Sequence, residues 1–224
     1  MDVWLYNFLL LFHVLFFVYW LGADLGVFYG ARFAADRRLS PETRTTVGDI
    51  MAFVDLFPRV SVPLIGAVGA SLAVMSGGFR FSPIWLLPIW IAALVWVGVN
   101  LTIYRNRKEP DRIQGLMRFD ISLRSAVLVT VFVAGLASLV GAGVTDDASL
   151  AAKLLIYAAA IFLSLVLRFV FRPYRPALAR IVAGTGSEED TRIMKRSLAR
   201  SKPVILGIWA MTVAAAAIGL WQPF

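Results

Sequence analysis

The chain has 224 residues, of which 59% are apolar and 16% charged, with a formal net charge of +8 and a mean hydropathy of +0.76. An ordinary soluble domain is about 45–50% apolar and about 25% charged, so a soluble globular domain is excluded. The lack of cysteine excludes disulfides, thiolate metal sites and a cysteine nucleophile, and the presence of one histidine, His13, excludes a bis-histidine haem within one chain.

The hydrocarbon core of a bilayer is about 30 Å thick and a helix rises about 1.5 Å per residue, so apolar runs of about 20 residues read as spanning helices. Six are expected, which makes the chain an all-α, polytopic transmembrane helical bundle in a single domain over 1–224. The first covers roughly 3–29 and is interrupted by His13 and Asp24. It starts with Asp2 where a cleavable signal peptide has a basic residue, and its apolar run is too long, so it is expected to be retained. Ser40-Pro41-Glu42 then reads as a helix start, with Val47, Ile50, Met51 and Val54 at helical spacing. An amphipathic helix over about 41–57 on the membrane surface is the expectation.

The second span covers 60–76, after Pro58 and Arg59. The third, 83–104, opens on Ser82-Pro83 and is expected to kink at Pro88. The fourth and fifth cover 119–142 and 148–171. Gly184 to Gly186 reads as a hinge, and Ser187 to Asp190 as a capping box that starts a short basic helix, Thr191 to Arg200. The sixth span follows at 203–221, starting at Pro203.

The positive charge is distributed very unevenly between these spans. The segments after spans one, three and five, together with Arg124, hold 20 of the 22 basic residues, Arg37 and Lys108 among them; the other side holds Arg80 and Lys153. Basic loops are retained in the cytoplasm, so the expectation is a bacterial inner-membrane protein with both termini periplasmic. The charge then reports orientation and contact with anionic lipids at the cytoplasmic face, and gives no support for nucleic-acid binding.

Ionisable residues within spans are expensive and mark sites. At 100° per residue, His13, Trp20 and Asp24 fall within about 40° of one another and share a face of the first helix, with about 16 Å between His13 and Asp24. That is too far for both to ligate one ion; they line one pathway or serve two sites. Asp24 also has the option of a structural pair with Arg59 or Arg124. A second set lies at the basic ends of spans two to five. Asp55 and Arg59 are four apart across Pro58, and Asp120 and Arg124 are four apart in the favourable order. With Asn100, Arg168 and Asp24 they are expected to form a polar cluster at the mouth of the bundle, whose arginines suit anionic groups. A salt-bridged rim of snorkelling side chains is the alternative.

Phe12-His13-Val14 followed by Trp20-Leu21-Gly22 reads as H-x6-W-x-G. This resembles the opening of the CopD-like and HemJ-like bacterial membrane proteins over roughly residues 5–75. The resemblance implies a bundle built around His13, binding haem b with His13 as the iron ligand and Trp20 beside it, as in the HemJ type, or handling copper, as in the CopD type. No second histidine follows. Three functional readings stay open: a haem b protein with redox-linked chemistry at His13, a small-solute, ion or metal permease with a polar path around Asp24, and a non-catalytic subunit or assembly factor. The partners implied are the bilayer and further copies or subunits of a membrane complex.

Overall fold

A computed structural model describes residues 2–36, 38–107 and 109–221. It is all-α, and six of its helices are long and apolar enough to cross a membrane. Arg37 and Lys108 of the basic segments lie outside the described residues. Helix α1 spans Val3–Ala34 and is capped by Asp2, whose carboxylate accepts from the N–H groups of Trp4 and Leu5 at 3.0 and 3.3 Å. Helix α2, Pro41–Val54, has proline in its first turn and Ser40 as its cap, with Oγ accepting from the Thr43 N–H at 3.2 Å. It turns at Asp55 directly into α3, Leu56–Met75. A single 3₁₀ turn, Pro83–Trp85, leads into α4, Leu86–Arg105. Then follow α5, Pro110–Leu139, α6, Ala148–Val170, the short α7, Tyr174–Val182, and α8, Glu188–Trp221.

Several boundaries differ from those the sequence suggests, each for a physical reason. The surface helix expected over 41–57 ends at Val54, because the chain turns at Asp55. Pro88, where a kink is expected, falls in the first turn of α4, where no N–H is required for an intrahelical bond. The fourth helix begins at Pro110, nine residues before the apolar run, since its polar start is helical as well. The basic helix expected at Thr191–Arg200 and the sixth span are one continuous helix through Pro203. A proline inside a helix removes one i→i−4 bond, and here the rest of the ladder carries on past it.

The spanning helices pair in a ring: α1 with α3, α3 with α4, α4 with α5, α5 with α6, α6 with α8, and α8 back to α1. Within the ring α3 and α6 also meet, because the Tyr157 hydroxyl of α6 donates to the Val62 carbonyl of α3 at 2.8 Å. Lipid tails are as apolar as leucine, so burial alone does not hold such helices together; close packing over small residues does. Gly66 illustrates this, since a Cβ there would lie 2.6 Å from the Tyr157 oxygen. Ala151, Ala158 and Ala160 of α6 are almost fully buried for the same reason. The central core joins Trp20, Val62, Ile65, Trp96, Ile161 and Ile208, with residues from α5 packed against it.

At the basic end a second core forms outside the spans. The end of α1 (Ala31, Ala34) packs against Tyr174 and Ala177 of α7 and against Met194 and Leu198 of α8, with Val47 and Met51 of α2 alongside. Arg44 of α2 is buried here, its Nε donating to the Ala34 carbonyl at 2.7 Å, and the Tyr174 hydroxyl donates to the Ala31 carbonyl at 3.1 Å. Arg44 thus satisfies the Ala34 carbonyl, which the helix leaves open, and Tyr174 gives a second donor to the Ala31 carbonyl, which already accepts from the Ala35 N–H. Burial pushes the Tyr174 hydroxyl pKa up from its ordinary value, against the pull of Arg44. The element expected to lie on the membrane surface is thus built into a packed cap.

Candidate functional site

Helices α1 and α3 run antiparallel, and their contacts set the levels of the site. His13 lies against Gly69 and Tyr19 stacks on Phe57 of α3 at 5.5 Å between ring centroids, and farther along α1 Gly26 meets Val54 and Gly30 meets Met51 of α2, which leads into α3. This register brings Asp24 to the level of Asp55 and Arg59, whose charges act on it. Asp24 is half-buried, and it makes no hydrogen bond or ion pair among the described residues. The structural pair with Arg59 or Arg124 considered from sequence does not form.

Arg59 is engaged elsewhere. Asp55 stands at the N-terminus of α3 and Pro58 is in its first turn, so the helix is regular where the sequence left its geometry open. The Arg59 guanidinium donates twice to one oxygen of Asp55, from Nε at 2.8 Å and from Nη2. One turn on, Pro63 lacks the N–H that would bond the Arg59 carbonyl. Asn100 of α4 supplies a donor in its place, with Nδ2 at 3.4 Å from that carbonyl and 2.9 Å from the Trp96 carbonyl. Its other end, Oδ1, accepts from Arg124 Nη2 at 3.3 Å.

Asp120 is the junction of three helices and is fully buried. Its carboxylate accepts from Arg124 Nε at 3.1 Å to both oxygens, from the Trp96 indole N–H at 3.1 Å and from Arg168 Nη2 at 2.5 Å. Arg124 also lies over the Trp96 ring, with Cζ 5.0 Å from its centroid. Charge-assisted bonds of this kind are the strong ones, and here every member is satisfied. Arg175, at the start of α7, closes the mouth of the cluster. It keeps contact with solvent while protein and the Arg59 charge crowd it. The crowding first, then Arg59, hold its pKa below the ordinary arginine value, with Asp55 opposing.

The set Asp24, Asp55, Arg59, Asn100, Asp120, Arg124 and Arg168 is therefore gathered at one end of the bundle. Two contributors have no sequence signal as site residues: Arg175, and Pro63, which leaves the Arg59 carbonyl open. A third, Trp96, is legible only as the residue four before Asn100 on the same face of α4.

The other part of the α1 face is different in character. Trp20 is 6% exposed and belongs to the central core. Beyond it, His13 Nδ1 is buried with no hydrogen-bond partner. A Cβ on Gly69 would lie 3.1 Å from Cε1 and 3.6 Å from Nδ1, so that edge of the imidazole is pressed against the α3 backbone. Among the described residues no group of three His, Cys, Asp or Glu side chains is placed to hold a metal ion. The charge acting on the ring is that of Lys153 of α6, whose side-chain end lies beside Gly219 of α8. Lys153 is thus a part-buried cation toward the end opposite the basic one, where the Arg80–Asp146 pair also lies.

These features define a six-span helical membrane protein with a satisfied polar cluster at one end and unsatisfied polar groups on one face of α1. Comparison with protein-family models, with curated proteins and with solved structures finds no match, so its class rests on its own residues.

Proposed function

We propose that the chain is a small-solute or ion permease of the bacterial inner membrane, in a closed state, with its basic end in the cytoplasm. The observation that carries this reading is that two ionisable side chains share one face of α1 within a span: Asp24, with no hydrogen bond or ion pair among the described residues, and His13, whose Nδ1 is buried without a partner while the ring interacts with the Ile65 backbone of α3. An unpaired ionisable group within a bilayer is costly and is by default part of a pathway. Trp20, Ile65, Ile161 and Ile208 belong to one packed apolar core, which in this reading separates Asp24 and the arginine cluster from His13 and Lys153. Polar groups on both sides of an apolar constriction make a dewetted gate.

In this reading Asp24 takes and gives the coupling proton or cation, and the Asp55–Arg59 pair beside it sets its charge. The Asp120 network holds α4, α5 and α6 in register around it. The resemblance of the first helix to CopD-like and HemJ-like proteins would put haem b at His13; the packing of that ring on Gly69 favours a place on the path instead. Reconstituted in liposomes with an internal pH-sensitive dye, the unsubstituted chain collapses an imposed pH gradient and Asp24→Asn does not. Equal collapse by both proteins removes Asp24 from the path and overturns the proposal.

A further inference from the structure

We propose that the groove between the basic-end half of α1 and α8 is a binding site for an anionic glycerophospholipid. Two recesses, of about 190 and 530 Å³, share Phe28, Arg32 and Lys202 and so form one groove. The larger volume lies within the about 300–1,000 Å³ typical of ligand pockets. Its two ends differ in chemistry. The outer end carries Arg32, Arg38, Lys195 and Lys202 against one acid, Asp36. None of the four cations is held in an ion pair among the described residues, whereas Arg180, Arg192 and Arg196 nearby on α7 and α8 each face a carboxylate. The Asp36 carboxylate already accepts from the Arg38 backbone N–H at 3.0 Å.

The inner end is apolar and opens toward the lipid-facing side of α8, where Leu206 is 57% exposed. Its floor is an edge-on pair, Phe28 of α1 and Trp209 of α8, with ring centroids 6.0 Å apart. Arg32 lies over the Phe28 ring at 5.0 Å, which points its guanidinium along the groove. The Trp209 indole N–H is buried there with no acceptor in the protein. Cations followed by an apolar channel and one free donor match a phosphate followed by ester oxygens and an acyl chain. Basic pockets between spanning helices at the membrane surface bind anionic head groups in this way. A free phosphate would use only the outer half. None of these residues belongs to the polar path, so the site is independent of the transport reading.

The test is native mass spectrometry of the full chain in a mild detergent, titrated with phosphatidylglycerol and with phosphatidylcholine of the same acyl chains. Phosphatidylglycerol is expected to remain as a one-to-one adduct and phosphatidylcholine to be lost. Arg32→Gln with Lys202→Gln is expected to lower that occupancy about tenfold, while Arg192→Gln with Arg196→Gln, the same charge change elsewhere, leaves it unchanged. Equal retention of the two lipids, equal loss in the two double variants, or displacement of the lipid by inorganic phosphate overturns the proposal. If the first double variant does not fold, the comparison of the two lipids on the unsubstituted chain still decides.

Discussion

Asp120 accepts from side chains on α4, α5 and α6 at once, with no solvent exposure. Removing one partner of a buried ion pair leaves charge uncompensated, which costs about 3–5 kcal/mol. Asp120→Ala strands Arg124, itself 7% exposed, and Arg168. It is expected to lower stability by that amount in thermal unfolding of the detergent-solubilised protein. Glu189→Ala removes an acid that faces Arg192 and Arg196 at half-exposed positions, and is expected to change stability by less than about 1 kcal/mol. Equal effects of the two substitutions would mean that the Asp120 network is no more than a surface rim. The i,i+4 spacing made the Asp120–Arg124 and Asp55–Arg59 pairs legible in the sequence, because both partners lie on one helix. The bonds from Trp96 and Arg168 to Asp120 join different helices, and no local spacing encodes them.

Between elements, the close approach of α3 and α6 rests on Gly66 facing Tyr157. An alanine methyl at 66 would push the ring away and break its bond to the Val62 carbonyl, and overpacking of this kind costs about 1–3 kcal/mol. Gly66→Ala is expected to be destabilised by that amount. Adding Tyr157→Phe is expected to recover part of the loss, because the hydroxyl is the atom nearest the new methyl. Two losses that simply add, read by the same unfolding measurement, would show that the two residues do not meet. The nine-residue α7, Tyr174–Val182, carries no long apolar run and was not legible, whereas the existence of the six spanning helices was, since each apolar run is long enough to span. The ends were less so, because helices α5 and α8 continue beyond the apolar runs through Arg112 to Arg118 and Thr191 to Arg200, where hydropathy is low but the helix ladder persists. Pro203 reads as a helix start in sequence, yet α8 runs through it. The packed cap over α1 was not legible: Arg44 looks like any basic residue of an amphipathic helix until Ala34 is placed beside it.

Over the whole molecule, the ring of helices holds two polar regions apart. The arginine cluster, with Asp24, occupies the basic end; in the proposed path His13 and Lys153 lie beyond the apolar core of Trp20, Ile65, Ile161 and Ile208. The grouping of His13, Trp20 and Asp24 on one face was readable from the 100° step. That Trp20 serves the core while Asp24 and the Nδ1 of His13 stay without partners depends on which helices face them. Lys153 was readable only as a charge near the outer side, since its direction follows from the rotation of α6 against α8. The chain contains no cysteine, so single cysteines can be introduced without background. The most direct test, independent of the solute carried, is labelling by a membrane-impermeant thiol reagent added from each side of the bilayer in turn. Asp24→Cys is expected to react only from the side of the basic end, Lys153→Cys only from the opposite side, and Trp20→Cys from neither. Protection of Asp24→Cys from both sides, or its reaction from the same side as Lys153→Cys, contradicts the closed path.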